Sequence, residues 1–221
     1  MTKYNTEPFA TEYHNARLLK FKTEKAAKNS IVFAGCSMIE FGQWQDLLNN
    51  AAIVNRGILG DNSFGLLNRI DDIINLQPEI LLISIGINDI AGDIPMNVTC
   101  KNICAFVKKI NGDSPSSKVF VHNILPTNPV HSEHKTEFIN HYNKNKQVEQ
   151  LNKALKEESS SYNFSYIDLH SSFKDENGNL NKEFANPDGI HLNANGYKFW
   201  AELLRNKYSI NFEQRSGNAS Y

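Results

Sequence analysis

Five short segments rich in β-branched and aromatic residues recur along the chain: Ile31 to Ala34, Ala51 to Val54, Ile80 to Ile85, Lys118 to Ile124 and Phe164 to Leu169. Stretches of helical periodicity separate them. This alternation constrains the fold most, because neighbouring parallel strands need a long right-handed return and a helix supplies one. The architecture expected is α/β, a central five-stranded parallel sheet with helices on both faces. The Ile-Leu-Leu-Ile run at Ile80 to Ile83 suits a strand buried on both sides.

The helical periods have start and stop signals. Phe64, Leu67, Ile70, Ile73 and Ile74 recur at three- and four-residue spacing behind a capping cluster at Asp61, Asn62 and Ser63. Val98, Ile103, Phe106, Val107 and Ile110 outline a second helix expected to stop at Asn111-Gly112, and Val148, Leu151, Ala154 and Leu155 a third. A fourth is expected from about Ala194 to Tyr208, and a further one over about residues 9–28 should cover an outer surface of the sheet. The 221 residues fall below the roughly 250 to 300 at which one core stops growing, so one domain over residues 1–210 is expected. The polar stretch 211–221 should be a frayed tail.

Charge and composition narrow the partners. Lys+Arg 23 against Asp+Glu 24 leaves a net charge of -1 with no basic cluster, which disfavours nucleic acid or an anionic membrane as a partner. A small molecule is expected instead, and a homo-oligomer stays open. No apolar run approaches the roughly 20 residues of a membrane span, and no basic n-region leads into an apolar stretch. Three cysteines are too few and odd in number for a disulfide framework, so a reducing, cytoplasmic location is the expectation.

In open α/β sheets ligands sit beyond the carboxyl ends of the strands, so the loops there are the informative ones. Gly35-Cys36-Ser37 follows the first strand, Asn55 to Asn62 the second, Gly86-Ile87-Asn88-Asp89 the third, and Asp188-Gly189-Ile190-His191 lies after the fifth. Together they supply a hydroxyl, an imidazole with a carboxylate, and hydrogen-bond donors, which are the parts of an acyl-transfer site. Ser37 taken alone reads first as a helix cap, and the company of the other loops reverses that reading. Asp188 and His191 are three residues apart around Gly189, so one bend can aim the carboxylate at the imidazole. Gly60 and Asn88 are weak taken singly, since the chain carries 29 asparagines and Gly before Asp-Asn is ordinary turn chemistry. As a backbone N–H and a side-chain amide they could serve an oxyanion. Asp61 and Asp89 read as hydrogen-bonding loop residues.

In order, the segments Ile-Val-Phe-Ala-Gly-Cys-Ser, Asn-Arg-Gly-Ile-Leu-Gly-Asp, Ile-Gly-Ile-Asn-Asp and Asp-Gly-Ile-His-Leu-Asn resemble the blocks of the SGNH (GDSL-type) hydrolase superfamily. The likeness spans roughly residues 31 to 204 and is closest in flavour to platelet-activating-factor acetylhydrolase subunits and carbohydrate O-acetylesterases. It implies a flavodoxin-like α/β/α sandwich with Ser37 as nucleophile, His191 as base and Asp188 orienting it. Ser37, Gly60 and Asn88 would form the oxyanion hole, with no metal or cofactor. The family usually has Asp between the glycine and the serine, where this chain has Cys36. Cys36, Asp61 and Asp89 are then expected in a supporting shell of hydrogen bonds around the reacting groups.

The activity expected is a serine esterase acting on short-chain acyl esters, acetyl above all, of a sugar or other small soluble alcohol. Two alternatives stand beside it: a ligand-binding protein of the same fold without catalysis, and a thiol hydrolase using Cys36. His131, Glu133, His134, Glu137 and His141 have spacing that could hold a metal but lack a catalytic zinc signature, so a solvated loop bordering the substrate pocket is expected there. Cys100 and Cys104 read as small core residues of a helix.

Overall fold

A parallel strand pair cannot be closed by a tight turn, and each apolar segment is accordingly followed by helical chain before the next. The structure, a computed structural model, describes residues 4–24, 26–129, 136 and 138–213. Helix α1 (Thr11–Thr23) precedes β1 (Ile31–Gly35), which leads into the short helices α2 (Ser37–Glu40) and α3 (Trp44–Leu47). After β2 (Ile53–Gly57) come α4 (Ser63–Asn68) and α5 (Ile70–Ile74), then β3 (Ile80–Ser84), α6 (Ile87–Ala91) and α7 (Met96–Asp113). Strand β4 (Lys118–His122), a 3-10 turn at Ile139–His141, α8 (Asn145–Glu158), β5 (Ser165–Ile167), α9 (His170–Phe173) and α10 (Ala194–Glu202) complete the order.

All pairings are parallel, in the order β2-β1-β3-β4-β5. The chain leaves β1 for β2 on one side and returns to β3 on the other, so the switch point lies between β1 and β3. The register aligns Gly35 with Gly57 and with Ser84, which brings three strand ends level at one edge. Every residue of β1 and β3 is buried, as their unbroken apolar runs require. Helix α7 neighbours α4, α5 and α8, and α10 packs on α3. Cys100 and Cys104 are core residues of α7. Among the described residues no helix is long and apolar enough to cross a membrane.

One turn of helix does not hold itself in water, so α2 depends on its neighbours. Trp44 Nε1 donates to the Ile39 carbonyl at 2.8 Å, Tyr197 Oη donates to that of Met38 at 3.0 Å, and Asn55 Nδ2 donates to those of Ile39 and Glu40 at 3.0 and 3.1 Å. Trp44 in turn stacks on Phe33 of β1 at 4.4 Å and meets the edge of Trp200 at 5.0 Å. Packing of aromatic rings in the core thus fixes the turn that carries Ser37.

Five expectations need correction. The helical period from Phe64 to Ile74 is two helices parted at Arg69, whose φ of -107° leaves the helical range while its side chain reaches back to Asp61 and Gly35. Helix α7 runs through Asn111-Gly112 and stops before Ser114, because Pro115 pushes the residue ahead of it out of the helical region. Helix α1 is shorter than residues 9–28, and the chain ahead of it lies against the loop after β2: Phe9 N–H donates to Gly60 O at 3.0 Å and Asn62 Nδ2 to the Thr6 and Glu7 carbonyls at 3.2 Å. Phe212 is buried among the core residues, with its carbonyl accepting from Asn50 Nδ2 at 2.7 Å, so the tail does not fray from residue 211. Residues 214–221 lie outside the described residues. The fourth expected helix ends at Glu202 and continues as one wide π turn, Leu203–Lys207.

Candidate active site

Strand β1 ends on Gly35, with φ of +153°, where a Cβ would overlap the Ser84 carbonyl oxygen of β3. Only glycine lets the chain turn there. Cys36 caps α2 in an extended conformation and Ser37 opens the helix, so consecutive side chains leave in different directions. Cys36 lines a small apolar hollow of about 20 Å³ with Met38, Ile85 and Ile124, whereas Ser37 lines a separate cavity of about 300 Å³.

The loop before α10 delivers the imidazole. Gly189 takes φ of +70° and closes a turn in which Asp188 Oδ1 accepts the N–H groups of Ile190 and His191, each at 2.8 Å. Asp188 Oδ2 is 2.6 Å from His191 Nδ1, and His191 Nε2 is 2.9 Å from Ser37 Oγ. A carboxylate only accepts, so Nδ1 carries the hydrogen and the Ser37 hydroxyl donates to Nε2. Burial alone would raise the Asp188 carboxyl. The hydrogen bond and charge of His191, with the two N–H groups, more than offset this and bring it down to about 2. Such an array can take a proton from a hydroxyl and stabilise the imidazolium that results.

Opposite lie the donors. Gly60 and Asn88 line the same cavity as Ser37 and His191. Among the described residues no acceptor bonds the N–H of Ser37 or of Gly60. Asn88 Nδ2 donates one hydrogen to the Asp61 carbonyl at 2.8 Å, which leaves its second N–H. The expected supporting residues are placed around these groups. Asp61, fully buried, accepts from Arg69 Nε at 2.9 Å and from its neighbour Asn62 N–H at 3.0 Å, and lies 3.2 Å from His14 Nε2. Arg69 Nη2 also donates to Gly35 O at 3.1 Å, which ties the loop after β2 to the end of β1. Asp89 accepts the Ser63 N–H at 3.0 Å and the Thr99 hydroxyl at 3.3 Å, although burial pushes its carboxyl up to about 6. Cys36 is fully buried, and desolvation, aided by the charges of Asp61 and Asp89, raises its thiol to about 11. Burial thus disfavours the thiolate that a thiol nucleophile would need.

His141 departs from its expected setting. His131, Glu133, His134 and Glu137 lie outside the described residues, and among the described residues no group of three or more His, Cys, Asp or Glu is placed to hold a metal ion. His141 instead sits with Nε2 3.0 Å from Asn88 Oδ1, between the rings of Phe9 and Phe138, each with its centroid at 5.8 Å. Burial, with the charge of nearby His191, lowers its pKa to about 4. Phe9 and Phe138 also line the cavity, and Phe41 approaches His191 at 5.1 Å. Phe9, Phe41 and Phe138 were not among the expected site residues, and no local pattern of period or spacing marks them. Apart from the two imidazoles, no ionisable side chain lines this cavity among the described residues.

Residues 30–199 match the GDSL-like Lipase/Acylhydrolase family. No curated protein sequence matches the chain. Among solved structures it is similar to a Streptococcus pneumonia protein provisionally assigned as a platelet activating factor, at 25% identity over 90% of this chain and 92% of that one, with a TM-score of 0.75. A GDSL-like lipase from Bacteroides thetaiotaomicron shares the fold at 21% identity, covering 89% and 97%, with a TM-score of 0.72. So does an acetyl-xylooligosaccharide esterase from Geobacillus Stearmophilus, at 14% identity, covering 87% and 99%, with a TM-score of 0.67. Family match and fold agree, and the chain belongs to the GDSL-like lipase/acylhydrolase family of carboxylic ester hydrolases.

Proposed function

We propose that this chain is a serine esterase that removes a short acyl group, acetyl above all, from a hydroxyl of a sugar or other small neutral alcohol. The observation that carries the reading is the continuous relay from Asp188 Oδ2 through His191 to Ser37 Oγ, with contacts of 2.6 and 2.9 Å. In the reaction Ser37 Oγ attacks the ester carbonyl carbon while its proton passes to His191 Nε2. The oxygen that becomes negative faces the N–H groups of Ser37 and Gly60 and the second N–H of Asn88, donors of a kind worth about 3 to 4 kcal/mol each. Collapse of the tetrahedral intermediate breaks the bond to the alcohol oxygen, which takes the proton from His191. Water then attacks the acyl-Ser37 carbonyl, giving its proton to His191, and the acid leaves as Ser37 recovers its hydrogen.

The substrate class follows from the lining. Phe9, Phe138, Ile87 and Ile190 give the cavity apolar walls, which suit an uncharged part of the substrate. Its aromatic walls suit the apolar face of a ring, and the Geobacillus Stearmophilus enzyme of the same fold is named for acetylated sugars. Turnover of p-nitrophenyl acetate and of acetylated sugars, with one fluorophosphonate bound per chain at Ser37, is the expected result, and Ser37→Ala abolishes both. Folded protein that neither turns over esters nor takes the label would be a ligand-binding member of the fold.

A further inference from the structure

We propose that His141 is a positioning residue that sets the orientation of the Asn88 amide, so that its N–H group and not its oxygen faces the developing oxyanion. The inference rests on the reading of Asn88 as an oxyanion donor. It concerns a residue that none of the four sequence blocks contains.

The torsion that turns an asparagine amide is broad and nearly two-fold, so nothing intrinsic distinguishes its oxygen from its nitrogen. An amide presented the wrong way round would direct a lone pair at a negative oxygen. Two neighbours decide the matter here. The Asp61 carbonyl, which can only accept, takes a hydrogen from Asn88 Nδ2 at 2.8 Å. On the other side His141 Nε2 lies 3.0 Å from Asn88 Oδ1, which can only accept, so this ring nitrogen carries the hydrogen. Flipping the amide would set oxygen against oxygen at Asp61 and, unless the ring moved its hydrogen to the buried, unpartnered Nδ1, N–H against N–H at His141. Each contact then becomes repulsive, and a buried polar group left unpaired is costly.

The surroundings of His141 suit the task. Phe9 comes from the segment ahead of α1 and Phe138 from the turn that carries His141, and both rings stand against the imidazole. The His141 carbonyl accepts from Thr127 Oγ1 at 3.2 Å, which anchors the backbone. Burial keeps the ring neutral, and a neutral ring does not add a second positive charge beside the imidazolium that forms on His191. The hydrogen bond is therefore in place before the oxyanion forms, as a preset donor requires.

A double-mutant cycle tests this on p-nitrophenyl acetate, using His141→Phe, His141→Gln and Asn88→Ala. His141→Phe should lower kcat about 10- to 100-fold, part of the hundred- to thousand-fold that an oxyanion donor contributes, with KM within about twofold. His141→Gln, whose amide can donate to Asn88 Oδ1, should recover most of it. In the Asn88→Ala background His141→Phe should change kcat by less than about twofold, because the group it orients is gone. A full loss from His141→Phe in that background, or none in the wild type, overturns the proposal. Should Ser37→Ala keep its turnover, or Asn88→Ala cost nothing, the reading of the site itself fails, a separate and recognisable outcome. The wild-type protein supplies a test that needs no variant to fold. Long-range 1H–15N spectra should show neutral His141 protonated on Nε2, and protonation on Nδ1 instead overturns the proposal.

Discussion

The two sides of the cavity are built in opposite ways. Asp188 and His191 belong to one turn, in which the carboxylate binds two backbone N–H groups of its own loop and the imidazole three residues on. A bridge between Ala185 and Leu192 and the bond from Asn186 N–H to His191 O close that loop at its base. The donor side has no such self-sufficiency. Gly60 and Asn88 come from loops after different strands, and they meet through Asp61, Arg69, Gly35, the segment ahead of α1 and the turn holding His141. A local device fails at single residues, whereas a distributed one is sensitive wherever the fold is loosened.

The largest effect should come from the local side. Asp188→Asn keeps the size of the side chain but removes the charge that selects the His191 tautomer, and a loss of about 10⁴ in kcat is expected. A loss under tenfold would mean that the turn alone orients the imidazole. The same carboxylate gives a stability signature. Its folded pKa, about 2, lies below the ordinary carboxyl value of about 3.9, so the folded state binds this proton less readily than the unfolded one. The stabilisation is then complete above about pH 4 and lost as pH falls through about 2. Thermal melts of wild type and Asp188→Asn should converge over that interval, and a constant gap would contradict the assigned charge.

On the distributed side Arg69→Met should act first on the fold. It leaves the Asp61 carboxylate buried without its guanidinium partner and takes away one of the two donors to Gly35 O, leaving only the Ile58 N–H. Breaking a buried pair from one side costs about 3–5 kcal/mol, which urea denaturation would read directly. Turnover should fall as well, since Asp61 also holds Asn88 through its carbonyl. A cost below about 1 kcal/mol would show that the donor side does not depend on this pair and would erase the contrast.

The same contrast governs what the sequence makes legible. The strands show as apolar runs because burial on both faces demands them, and residues after strand ends are candidates because a parallel sheet places them at one edge. Asp188 and His191 can be paired from spacing alone, since their geometry is settled within four residues. The break at Arg69 is invisible, because Leu67, Ile70 and Ile73 keep the helical period across it. His141 lies 53 residues from Asn88, in a stretch whose several histidines suggest metal spacing more readily than an amide partner. Phe9 and Phe212 sit in polar terminal stretches, and only packing against residues far along the chain gives them a place, beside His141 for the first and Phe33 for the second.

Cys36 should give the smallest effect, and it tests where the boundary between the two sides lies. It stands between a residue tied to Arg69 and one bonded to His191, yet it lines the small apolar hollow and not the cavity that Ser37 and His191 line. If the site needed a hydrogen-bonding group at this position, the thiol's replacement by a methyl would weaken catalysis strongly. If packing is its whole role, Cys36→Ala loses only a small buried group, about 1 kcal/mol of stability, within the range typical of point substitutions. Turnover should stay within about threefold of wild type, since the hydroxyl, the imidazole and the donors keep their partners. Ser37→Ala assayed beside it supplies the scale. A comparable collapse in both would place Cys36 in the reacting set, whereas retention in Cys36→Ala alone assigns the chemistry at this turn to the hydroxyl next to it.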